Sequence, residues 1–128
     1  MVLGFAESST RISEALGVVP TRTWRAGEPV APGAANRQPT NGWLVTSPVD
    51  PVNPDPDEAV TKVLNLIPDG AFGRLPTDAD VQLSVTIYGH RERPSLYLSN
   101  RTLAMLAAIR ASLDVDTYDL SEVDSEKE

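Results

Sequence analysis

Apolar residues at Ile12, Ala15 and Leu16 recur at helical spacing behind Ser8-Ser9-Thr10, and Gly17 suits a left-handed stop. The pattern predicts a helix of about two turns, too short to stand without packing. Ahead of it, Val2, Leu3, Phe5 and Ala6 make Met1 to Glu7 a first strand. After Pro20 to Gly27, the stretch Glu28 to Asn41 is rich in Pro, Gly and amides, has no period that could bury a face, and reads as a loop. Gly42 to Ser47 reads as a strand around Trp43 and Val45, ending at Pro48. Prolines at 48, 51, 54 and 56 alternate with turn formers and hold the next segment extended.

The clearest helix start follows, with Asp55 as N-cap, Pro56 at the first helical position and Glu58 completing an Asp-x-x-Glu capping box. Val60, Val63, Leu64 and Ile67 mark its apolar face, and Pro68-Asp69-Gly70 ends it. Val81, Leu83, Val85 and Ile87 alternate with Gln82, Ser84, Thr86 and Tyr88, the strongest strand signature in the chain, with one wet or lightly covered face. Gly89 to Pro94 turns the chain and Ser95 to Leu98 returns, which predicts an antiparallel hairpin. Asn100 caps a third helix to about Ala111, and Leu113 to Tyr118 alternates as a last strand. The expected fold is α+β, a two-layer α/β sandwich. Its mainly antiparallel sheet has about five strands with three helices, in the order β-α-β-α-β-β-α-β.

Length and composition narrow this further. A chain of 128 residues with 41% hydrophobic residues is one domain with one core. We place that domain over residues 1–120 and an acidic, disordered tail over residues 121–128. The net charge of −7 is concentrated in Ser112 to Glu128, where seven acids face one lysine and leave the rest of the chain near neutral. Nine arginines are scattered and form no basic stripe with interleaved aromatics, which disfavours a nucleic-acid surface. No cysteine is present, so disulfides, thiolate metal sites and cysteine nucleophiles are excluded. The start of the chain lacks the marks of a signal peptide and no segment approaches a membrane span. A cytoplasmic location without membrane association is expected.

Several residue groups bear on chemistry. His90, in the turn Gly89 to Arg93, has Glu92 near it but no second histidine and no nucleophile elbow, so it reads as an exposed turn residue. Asp114-x-Asp116-x-x-Asp119 and Asp55-x-Asp57-Glu58 do not match a calcium loop; strand alternation and helix capping explain them. Gly70 to Gly73 lacks the lysine and preceding strand of a phosphate loop. No catalytic set, metal or cofactor is called for. Arg22, Trp24, Arg25 and Trp43 remain as candidate binding residues, since arginine and tryptophan are enriched at binding hot spots and an arginine stacked on an indole can orient a carboxylate. Against that stands the expectation that both indoles fill the core, with Arg25 the most exposed of the four.

Taken in order, the helix ending Leu16-Gly17, the segment Pro20-Thr21-Arg22-Thr23-Trp24-Arg25-Ala26-Gly27, then Gly42-Trp43, the central helix, the hairpin, and the terminal helix before Leu113-Asp114-Val115-Asp116-Thr117-Tyr118 resemble the bacterial family called domain of unknown function 4279. The resemblance covers roughly residues 1–120, with Glu28 to Asn41 as a long insert. It implies a small cytoplasmic bacterial domain of accessory or immunity type with no catalytic residues to carry over. The expected function is therefore a non-enzymatic protein-binding domain acting on another bacterial protein, whose identity the sequence does not give; a homo-oligomer is left open. The alternative is a sensor of small anionic ligands, or a weak enzyme, with an Arg/Trp-lined pocket.

Overall fold

The computed structural model describes residues 1–46, 55–89 and 96–119. Five strands and three α-helices follow one another as β1 (Val2–Leu3), α1 (Ser9–Leu16), β2 (Arg22–Trp24), β3 (Gly42–Leu44), α2 (Pro56–Asn65), β4 (Asp80–Gly89), α3 (Asn100–Ala108) and β5 (Ser112–Asp119), with a 3-10 turn at Ala71–Arg74. They form an α+β fold around a single open sheet of order β2-β3-β1-β4-β5. Three of the four strand pairings are antiparallel, and β4 with β5 is parallel.

Local chemistry sets most boundaries. Ser8 caps α1 through its side chain, and Gly17 closes it at φ 70 with its N–H on the Ser13 carbonyl. At Gly4, φ +80 turns the chain out of β1, so the expected seven-residue strand is only two residues long, although Phe5 still reaches the core. Asp55 caps α2 by accepting from the Asp57 N–H, whereas Glu58 pairs with Lys62 at 3.2 Å. The cap of α3 is Ser99, one residue before the expected Asn100.

Two further expectations about strands are corrected. Leu96 to Leu98 has no strand structure, so the predicted return strand over Ser95 to Leu98 is not formed, Ser95 itself lying outside the described residues. Instead β4 pairs with β1 on one side, and α3 carries the chain across to lay β5 parallel on the other, from Gln82↔Ser112 to Gly89↔Asp119. The second correction is β2, whose three residues are too few for alternation to announce them. Pairing with β3 makes it a strand, in the register Arg22↔Leu44, Thr23↔Trp43, Trp24↔Gly42.

Register divides the sheet into two faces. Val2, Trp43 and Val81 sit opposite one another on the face covered by the helices. There Val2, Phe5, Ile12, Leu16, Trp43 and Ala71 form the buried core. Leu83 and Val85, of the same parity, face Val60 of α2 and Leu106 of α3 across an apolar cavity of about 310 Å³. The opposite parity, with Arg22, Trp24, Gly42, Leu44, Ser84, Asp114 and Asp116, looks away from the helices. Among the described residues no helix is long and apolar enough to cross a membrane.

A candidate binding face on the open side of the sheet

A glycine organises this face. Gly42 lies in β3 directly across from Trp24, and a Cβ at residue 42 would sit inside the indole ring. The missing side chain lets Trp24 lie flat on the β3 backbone, the close approach that a strand glycine permits. Two residues earlier on the same parity, the Arg22 guanidinium is 5.5 Å from the ring centroid, within cation–π range. Arg22 also donates to the Val30 carbonyl at 3.2 Å, tying the stack to the following loop.

That loop, Glu28 to Asn41, is held by backbone bonds. Gly27 donates to the Gln38 carbonyl, Gln38 to the Glu28 carbonyl and Val30 to the Asn36 carbonyl, around a bridge between Pro29 and Arg37. Asn41 locks its base: its Oδ1 accepts from the Ala26 N–H at 2.8 Å and its Nδ2 donates to the Phe5 carbonyl at 2.8 Å. Sequence reading placed Asn41 in an irregular loop and missed this role; the signal available was an amide beside Gly42-Trp43, where a chain crossing needs both a donor and an acceptor. Between the loop base and the start of α1 lies a groove of about 460 Å³, bordered by Ser8, Trp24, Arg25, Glu28 and Asn41. Arg25 is exposed, and so are Glu7 and Glu28 on the same groove, Glu7 being paired with Arg11 at 3.3 Å.

Of the four candidate residues the structure brings three together. Arg22, Trp24 and Arg25 share the β2 end of the molecule, with Arg22 and Arg25 exposed and Trp24 half-buried. Trp24 is thus not part of the buried core, which corrects the expectation for that indole. Trp43 is core, 1% exposed, on the far side of the sheet, its Nε1–H donated to Ser13 Oγ at 3.0 Å. Adjacent positions 42 and 43 necessarily point to opposite faces, so an indole opposite Gly42 cannot share a face with Trp43.

The other chemical candidates lie elsewhere. Asp57 accepts from the Ser99 N–H at 2.8 Å and so joins the first turn of α2 to the cap of α3. That backbone donor first, then the Thr102 hydroxyl, holds its carboxyl below the ordinary range. Asp114 and Asp116 are exposed on the open face of β5. Among the described residues no group of three or more His, Asp or Glu side chains could hold a metal ion. His90 and the acidic tail lie outside the described residues.

A family model described as Domain of unknown function (DUF4279) matches residues 2–120, and the chain belongs to that family. No curated protein and no solved structure matches it.

Proposed function

We propose that this member of the family is a non-enzymatic protein-binding domain, an accessory or immunity-type protein that acts on another bacterial protein in the cytoplasm. It docks through Arg22, Trp24 and Arg25. The observation that carries the reading is the placement of Trp24 outside the core, half-buried on Gly42 with Arg22 stacked beside it. A large ring already fixed by its neighbours loses little further freedom when a partner covers it, which is what a binding anchor requires. The alternative, a sensor of small anions, has less support. Glu7 and Glu28 border the same groove as Arg25, so its charge does not favour an anion.

Co-purification of the full chain from its native host tests the proposal. A stoichiometric partner should accompany the wild type and be lost with Trp24→Ala or Arg25→Ala while both variants remain folded. Retention of the partner by both variants would place the docking face elsewhere. A clean monomer that turns over a metabolite would overturn the reading altogether. A thermal-shift screen with anionic metabolites separates the alternative, because a ligand at a hundred times its Kd stabilises by about 2.7 kcal/mol.

A further inference from the structure

Among the described residues the sheet ends at β5, at the opposite edge from β2 and the Arg22–Trp24 stack, and this edge is built differently from the short β2 edge. Eight residues of β5 run beside β4, and among the described residues no strand pairs with the outer side of β5. Side chains 112–117 are all exposed. On the helix-side parity, Leu113 and Val115 lie opposite Leu83 and Val85 yet remain 44% and 37% exposed, beyond the cover that the helices give the middle of the sheet. On the other parity stand Asp114 and Asp116, also exposed.

An open strand edge offers a row of backbone donors and acceptors to any extended chain, and its side chains decide which chain is accepted. A strand laid against β5 would set one parity beside Leu113 and Val115 and the other beside Asp114 and Asp116. A second copy of this chain fits poorly. When two β5 strands meet antiparallel about Val115, a register that keeps matching faces together, Asp114 of each opposes Asp116 of the other, and like charges directly across a ladder are unfavourable. A strand with β-branched residues at one parity and Lys or Arg at the other satisfies both.

We propose that the β5 edge accepts, by strand addition, a partner segment in which basic and β-branched residues alternate. Asp114 and Asp116 serve two purposes there: they select the basic parity and they oppose self-pairing of the edge. This surface is separate from the Trp24 face, so it stands or falls independently of the docking proposed there.

The test uses the full chain and two seven-residue synthetic peptides, one alternating lysine with valine and one alternating glutamate with valine. Amide hydrogen exchange and NMR shifts are read at residues 113–119. The lysine peptide should protect β5 amides at least tenfold, with affinity falling as salt is raised, and the glutamate peptide should not. In the double variant Asp114→Lys, Asp116→Lys the preference should reverse. Neutralisation by Asp114→Asn, Asp116→Asn should promote dimers in sedimentation. The proposal is overturned if neither peptide protects β5, if the lysine peptide binds the charge-reversed variant equally well, or if the wild type already dimerises through β5.

Discussion

The two tryptophans sit within one residue of each other in sheet register, yet live in different environments. Trp43 points into the helix layer, shares one core with Val2 and Ile12 and has its indole N–H satisfied by Ser13. Trp24, paired with Gly42, lies on the outside of the same two strands and is held by the absence of a side chain beneath it and by Arg22 beside it. Identity and size of a residue therefore say little about its job; parity in the ladder says more. An indole packed among helices stabilises, and one laid on a backbone displays a surface.

Substitutions can break that contrast in graded steps. Trp43→Ala should cost about 3–5 kcal/mol, enough to unfold much of a marginally stable domain, as read by urea denaturation. If it costs no more than Trp24→Ala, the two environments are not distinct. Gly42→Ala places a methyl where the Trp24 ring lies; the ring must leave, at about 1–3 kcal/mol. Its fluorescence should shift to the red while Trp43 keeps its buried emission. An unshifted spectrum would mean that Trp24 does not rest on Gly42. Trp24→Ala should cost about 1 kcal/mol and leave far-UV circular dichroism unchanged, a loss of the size expected outside a core.

The smallest effect lies away from both indoles and appears only in acid. Asp57 has its folded-state pKa depressed, so it stabilises the fold above the unfolded carboxylate range, and that contribution is lost as pH falls through the lower folded value. Asp57→Asn should therefore lower Tm slightly near neutrality and leave a flatter acid limb than the wild type. Because the side chain is only half-buried, solvent screens it and the difference should be modest. An identical pH profile in the two proteins would show that the Asp57–Ser99 contact does not join α2 to α3 in solution.

Much of the fold was legible where a local signal acts alone. Ser8 and Gly17 bracket α1, Asp55-Pro56 opens α2 and the alternation from Val81 to Ile87 marks β4, because caps and periods are written within a few residues. What escaped depends on distant partners. Arg22 to Trp24 is a strand only because β3 lies beside it, and Leu96 to Leu98 is not one because the partner of β4 arrives later, across α3. At the candidate face, exposure of Arg25 was legible from its charge. The outward placement of Trp24 was not, since it follows from pairing with Gly42, and the same long-range pairing gives Asn41 its two bonds.

The brevity of β1 has its own consequence for the order of assembly. Residues 22–44 bring β2 and β3 together, and residues 80–119 bring β4, α3 and β5 together, each within a short span of chain. Val2 and Leu3 bridge these two pieces in the sheet, meeting Gly42 and Trp43 on one side and Asp80 and Val81 on the other, with Gly4 bonded to Asn41 and Met1 to Gln82 just beyond. A short seam closed across almost eighty positions of chain carries a larger search than the local pairings on either side of it. The two pieces are therefore expected to close before Val2 and Leu3 are captured between them, in which case Val2→Ala should mainly speed unfolding and leave the folding rate of each local piece unchanged in stopped-flow measurements.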